Sequence, residues 1–271
     1  MIGWTRAALG AFAVAASLHG PAAVPAAAQE GLRMLQTADD SRGLEAVGRL
    51  NFSDTGFCTG ALITAEVVLT AAHCLYDKIT GRRIPAHEIS FHPGFRNGQA
   101  EAVRSVRRIV IHPDYDFHDA DRLGRVAADM ALIELDHPVR SGRVTPFRTV
   151  ESVAAGERVQ VLSYAKDRAD APAFEEACEV LTRDVEVLVL SCSVDFGASG
   201  APVFSVGDDS RRIVSVISAK AEWDGRPVAL AASMEGEIAR LIDAFARTPA
   251  LGPVAEGVRD GSVEDTAGRT N

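Results

Sequence analysis

Asp195-Phe196-Gly197-Ala198-Ser199-Gly200-Ala201-Pro202 places one serine between glycines on a tight turn, just before an apolar run that continues through Val203 and Phe204. Such a turn exposes the serine Oγ while neighbouring backbone N–H groups converge on one point. Those of Gly197 and Ser199 would stabilise a developing oxyanion, and losing one such donor typically costs ~10²–10³ in rate. By itself a Gly-Ala-Ser-Gly turn is also an ordinary chain reversal, so its meaning depends on what the rest of the chain supplies.

Two earlier segments supply it. In Thr70-Ala71-Ala72-His73-Cys74 a histidine follows an apolar β-run and adjoins a cysteine, the rigid mount that a general base requires. In Asp129-Met130-Ala131-Leu132-Ile133-Glu134-Leu135 a carboxylate stands at the mouth of an apolar strand, where it can hold an imidazole in one tautomer. Asp119 and Asp121 compete for that role, but neither leads into an apolar strand. His87, His92, His112, His118 and His137 lie in polar or turn contexts and read as surface residues.

Around these segments the chain is a series of short β-runs bounded by Gly, Pro, Asp or Asn. They are Val67–Thr70, Ile109–Ile111, Ala131–Leu135, Val159–Val161, Val185–Leu190, Pro202–Phe204 and Ile213–Ile217. Their spacing predicts an all-β sandwich or barrel. The stretch from His137 to Pro146 is rich in turn residues and divides the runs into two comparable groups. One helix is predicted at Met234–Phe245, with Met234, Ile238, Leu241, Ile242 and Phe245 on one face and Ser233 as its cap. Residues 249–271 have no apolar period and read as a disordered tail.

The first 28 residues read as a secretory signal: Arg6, an apolar stretch from Ala7 to Leu18, and a cleavage site at Ala26-Ala27-Ala28. Export to the periplasm or the medium allows disulfides, and Cys58, Cys74, Cys178 and Cys192 all lie beyond the signal. Of three pairings, the sequence-local one, Cys58 with Cys74 and Cys178 with Cys192, is expected. Zinc is disfavoured because no C-x2-C or H-x3-H spacing occurs. The chain has 271 residues, 47% of them hydrophobic, enough for a sizeable core. Its net charge of −9 argues against nucleic acid and anionic membrane as partners. No apolar run reaches the ~18–20 residues of a membrane span.

With T-A-A-H-C, D-M-A-L-I-E-L and G-A-S-G-A-P in the order His, Asp, Ser, the sequence resembles the chymotrypsin-like (trypsin-fold) serine peptidases from about Val47 to Phe245. The α/β-hydrolase elbow G-x-S-x-G is not matched, since Gly200 directly follows Ser199. The resemblance implies two six-stranded antiparallel β-barrels, about 44–137 and 147–234, a C-terminal helix at 234–245, and a cleft between the barrels. It implies Ser199 as nucleophile, His73 as base and then acid, Asp129 as the orienting carboxylate, and Gly197 with Ser199 as oxyanion donors. It also supports the Cys58–Cys74 bridge. Ser218 resembles the serine of the strand that pairs with substrate. Ser193 stands at the floor of the pocket for the residue before the scissile bond (P1), and Lys220 stands on its wall.

Departures from the family pattern carry information too. Ala198 replaces the aspartate that receives a new N-terminus in digestive enzymes, and G-L-E-A-V-G at 43–48 replaces I-V-G-G. No trypsin-type activation switch is therefore expected, and the pattern is closer to bacterial V8-like members. Ser193 disfavours Lys or Arg at P1, and Lys220 could favour an acid, but Asp195 shares that wall and P1 stays open. Segment 29–43 is a candidate propeptide. The expected protein is a secreted or periplasmic monomeric endopeptidase acting on proteins or peptides, with no metal or cofactor. Its rivals are a catalytically silent binding protein on the same scaffold and an esterase-like hydrolase with the same triad.

Overall fold

The computed structural model describes residues 32–249, apart from 54, 55, 185 and 208–210. The signal, residues 29–31 and the tail from 250 onward lie outside the described residues. Strand β1 (Leu32–Met34) is followed by β2 (Val47–Phe52), β3 (Gly56–Leu62), β4 (Val67–Thr70), β5 (Ile89–Pro93) and β6 (Arg104–Ile111). Helix α1 (Arg122–Ala127) precedes β7 (Ala131–Leu135). Strands β2 to β7 close into an antiparallel barrel of order β2-β3-β4-β7-β6-β5.

The rest of the chain builds a second barrel. It comprises β8 (Arg148–Thr149), β9 (Arg158–Ala165), β10 (Arg168–Arg183), β11 (Val187–Leu190), β12 (Pro202–Ser205), β13 (Arg212–Trp223) and β14 (Arg226–Ser233). The ring β9-β10-β11-β14-β13-β12 closes through pairing of β9 with both β10 and β12. The two expected barrels are thus present. Barrels leave few sheet edges, and the alternation of inward apolar residues fills each interior. One apolar core runs through both: Leu50, Leu69 and Ile133 of the first pack in the same cluster as Leu162, Phe204 and Val216 of the second.

Several elements depart from the sequence reading. The C-terminal helix α2 spans Glu237–Arg247, starting from Gly236 in a left-handed conformation, and Ser233 does not cap it. Ser233 Oγ instead accepts from the amide of Glu235 in the preceding turn. The buried seam of α2 is narrower than expected: Ile238 and Leu241 are buried, whereas Ile242 is 43% exposed. His112 is not a surface residue. It is 2% exposed, with Nε2 lying 2.8 Å from Glu237 of α2, and burial lowers its pKa. Asp121, a competitor for the triad role on sequence grounds, caps α1 by accepting from the amide of Leu123.

Two disulfides join Cys58 to Cys74 and Cys178 to Cys192. The segment before the first barrel joins the second. Strand β1 pairs with β10, Leu35 donates its amide to Pro172 O at 2.9 Å, and the Leu35 side chain is fully buried. Leu35→Ala should therefore destabilise the fold by about 2–5 kcal/mol in urea unfolding, as for other buried leucines. A change under about 0.5 kcal/mol would mean that this segment is no part of the core.

Candidate active site

Strands β4 and β7 are antiparallel neighbours with Thr70 opposite Ala131. That register brings the residues just after β4 next to those just before β7. His73 lies on the 3₁₀ turn Ala72–Leu75, which the Cys58–Cys74 bridge ties to β3. Asp129 reaches it: one carboxylate oxygen accepts the backbone N–H of His73 at 2.8 Å, and the other lies 2.6 Å from Nδ1. Ser218 of β13 donates its hydroxyl to the same Asp129 Oδ2. The register of β13 against β14 slips between Ile217 and Ala219, so Ser218 is the residue that this bulge re-aims. Asp129 is 2% exposed, and these three donors satisfy its buried charge. With a carboxylate on Nδ1, the neutral imidazole carries its proton there and keeps the Nε2 lone pair free.

Accounting for each amide of the serine turn decides what that turn can do. Phe196 N–H donates to Asp195 Oδ1, Ala198 N–H to Asp195 O, Gly200 N–H to Ile217 O and Ala201 N–H to Ala198 O. Among the described residues, no acceptor is engaged by the amides of Gly197 and Ser199. The orientation of the first is set from outside: the Phe196 carbonyl accepts the Lys166 amide at 2.7 Å. In a trans peptide C=O and N–H point oppositely, so the Gly197 N–H faces away from Lys166. Gly197 has φ +101°, and a Cβ there would meet the Phe57 ring at 2.5 Å. Gly200 has φ +79°, and a Cβ there would meet Thr70 Oγ1 at 2.1 Å. No hydrogen bond joins Ser199 Oγ to His73 among the described residues. Such contacts tighten when substrate binds.

Thr59, which the sequence reading missed, holds this turn against the first barrel. Its hydroxyl donates to Gly197 O at 2.9 Å and accepts the Tyr164 amide at 3.1 Å, while its own amide donates to Ser199 O at 2.9 Å. A threonine inside a strand gives no sequence signal of such a role.

On the side of the expected P1 pocket, Ser193 is exposed and its amide donates to both oxygens of Glu175, at 3.1 and 2.9 Å. Glu175 is 8% exposed, and burial raises its pKa against the opposing effects of the Ser193 amide and Arg168. It too escaped the sequence reading, because β10 alternates too irregularly to reveal which of its charges turn inward. Lys220 does not present a free ammonium: its Nζ lies 2.9 Å from Asp195 Oδ1 and 4.4 Å from the Phe196 ring centre. The Lys220 hydrogen bond is the main cause of a lowered Asp195 pKa, so this carboxyl stays ionised.

The family model described as Trypsin matches residues 37–185, just over half of the chain. That stretch holds His73 and Asp129 and ends before Ser199. Glutamyl endopeptidase of Bacillus licheniformis is 28% identical over 153 residues, covering 56% of this chain and 46% of its own length. Kallikrein-14 of Homo sapiens is 33% identical over 99 residues, covering 36% of this chain and 33% of its own length. The chain thus spans less than half the length of these curated relatives. Among solved structures, a Glu endopeptidase in complex with MPD superposes with TM-score 0.63 at 17% identity, over 80% of this chain and 95% of that one. The thermostable serine protease AL20 superposes with TM-score 0.60 at 18% identity, over 76% and 98%. At these identities the superpositions speak to the fold alone.

If the Gly197 amide is an oxyanion donor, Gly197→Ala, which keeps that N–H but whose Cβ would meet the Phe57 ring and turn it away, should react with a serine-directed fluorophosphonate ~10²–10³-fold more slowly while both disulfides stay intact. An unchanged rate would remove Gly197 from the oxyanion site.

Proposed function

The chain belongs to the trypsin family, and from that premise we propose that it is a secreted or periplasmic serine endopeptidase working through His73, Asp129 and Ser199. The observation that carries this reading is the pair of unengaged amides, Gly197 and Ser199, on a serine turn whose Gly197 lines the same cavity as the Asp129-oriented His73. Ser199 Oγ attacks a peptide carbonyl while His73 Nε2 takes its proton, and the carbonyl oxygen becomes an oxyanion between the two amides. Asp129 stabilises the imidazolium that forms and stays ionised itself. His73 then protonates the leaving amine, and the C–N bond breaks to leave an acyl-enzyme. Water, deprotonated by His73, cleaves that ester and regenerates Ser199. The chemistry calls for no metal or cofactor.

An oxyanion site formed without an ion pair at position 198 favours this reading over a silent binding scaffold, since Ala198 is fully buried and the Lys166 amide sets the turn. The chain is proposed to act as a monomer on polypeptides, and the segment from Leu32 to be retained in the working enzyme, because it pairs with β10. The P1 preference depends on Lys220. A P1 carboxylate would have to compete with Asp195 for its ammonium, so an acidic preference of the kind named in one relative is expected to be muted.

Fluorophosphonate should label the purified chain after removal of residues 1–28, and Ser199→Ala and His73→Ala should each abolish labelling. Absence of labelling in folded, disulfide-bonded protein would reduce the reading to a scaffold. A peptide substrate beside its simple ester then separates endopeptidase from esterase. Asp195→Asn should raise kcat/KM for P1 Glu over P1 Gln by up to about fivefold, the scale of an exposed ion pair. No change would mean that Lys220 does not reach P1.

A further inference from the structure

Two cavities flank His73, and among the described residues it alone lies on the walls of both. The first, of about 550 Å³, includes Asp129, Ser218, Ala219 and Lys220. The second, of about 560 Å³, includes the Cys58–Cys74 bridge, Gly197, Phe57, Ile79, Lys78 and Phe196. Under the peptidase reading, on which this inference rests, the acyl half of the substrate runs beside Ser218 and Lys220. The half that leaves must then cross His73 and the disulfide into the second cavity.

That cavity has a chemistry of its own. Phe52, Phe57 and Ile84 contribute apolar wall. Ile79, 95% exposed, and Phe196, 60% exposed, also line it and are among the few large apolar side chains that folding leaves in water. Single exposed apolar residues need no explanation, but two of them lining one concavity form a surface that a ligand would cover. Two cations, Lys78 and Lys166, share the wall, and neither has a carboxylate within salt-bridge distance among the described residues. Lys78 instead lies 5.7 Å from the Phe196 ring centre. Asp77 also lines the cavity, but its Oδ1 is taken up by the amides of Ile79 and Thr80 and by the Thr80 hydroxyl.

We propose that this cavity makes the enzyme selective for the residues on the leaving side of the scissile bond: a large apolar side chain in the first two positions and a carboxylate beside it. The apolar residue packs on Phe57, Ile79 and Phe196, and the carboxylate is drawn to Lys78 and Lys166. The two cavities share only His73 among their lining residues and touch where Lys220 packs on the Phe196 ring, so selection on this side is read with the acyl half held fixed.

Acyl transfer to added amines isolates this side. A simple ester with a fixed acyl half forms the acyl-enzyme, and water or a dipeptide amide then cleaves it. With the amide, the ester C–O bond breaks, a C–N bond forms, and His73 carries the amine proton to Ser199 Oγ. The ratio of aminolysis to hydrolysis, taken within each variant, reads the leaving-group cavity whatever the overall rate. H-Phe-Glu-NH₂ should partition ~10-fold or more better than H-Gly-Gly-NH₂, with H-Phe-Gln-NH₂ between them. Ile79→Ser with Phe196→Ser should erase the advantage of Phe, and Lys78→Ala with Lys166→Ala should erase only that of Glu over Gln. Ester hydrolysis with a partition ratio indifferent to the amine would overturn this proposal and leave the peptidase reading standing. An enzyme that neither labels nor cleaves the ester would overturn both.

Discussion

One buried residue couples the two halves of the site. Thr59 sits inside the first barrel with no exposed surface, yet its amide and hydroxyl each bond to the second, and its carbonyl accepts from Thr70 Oγ1 at 2.8 Å. Buried polar groups are costly unless paired, so these bonds fix the turn at Ser199 relative to the strand that leads to His73. Gly200 answers to the same constraint, because the turn approaches Thr59 and Thr70 too closely to admit a Cβ. The glycines of G-A-S-G are thus set by the depth at which the second barrel docks into the first, as well as by the turn.

The same logic would account for the proposed oxyanion site forming without an activation switch. In enzymes with an aspartate before the serine, a new N-terminus locks the turn through an ion pair. Here Ala198 is fully buried, and a charge there would have to be desolvated. The lock is a backbone bond, Lys166 N–H to Phe196 O, from the hairpin between β9 and β10. A backbone bond of this kind needs no cleavage to form, so the turn takes its shape with the fold. Strand β1 adds to the sheet edge at β10, which connects the N-terminal segment to that same hairpin.

Legibility in the sequence depends on which signals are local. His73, Asp129 and Ser199 stand at the ends of apolar runs, and β4 and β7 fall where β-branched residues cluster, so these positions could be read one segment at a time. The C-terminal helix was visible from its period, but its start was not, because Gly236 in a left-handed conformation resets the chain after Ser233. β10 went unread although it is the longest strand: Pro172, alanines and paired glutamates hide its alternation. Glu175 meets Ser193, and Thr59 meets Tyr164 and Gly197, eighteen or more residues away in sequence, so no short window along the chain contains these partners. His112 failed for a similar reason, since the helix that buries it lies at the far end of the chain.

Charge placement then separates the two sides of the cleft. On the acyl side, Lys220 and Asp195 are both about half exposed, so their pairing adds little to stability, but it cancels the field that a free ammonium would project on a bound side chain. On the other side, Lys78 and Lys166 stand beside apolar wall with no carboxylate at salt-bridge distance among the described residues, and against the one carboxylate of Asp77 they leave that wall a positive charge in excess, in a chain whose net charge is −9. An apolar surface lowers the local dielectric for whatever binds on it, so the same ammonium attracts a carboxylate more strongly there than in open solvent. A peptide lying across His73 would therefore meet a nearly neutral wall before the scissile bond and a positive, greasy one after it. Under the proposed mechanism this asymmetry would place the discriminating contacts with the half of the substrate that departs first, so they would act on acylation and be gone before the acyl-enzyme is hydrolysed.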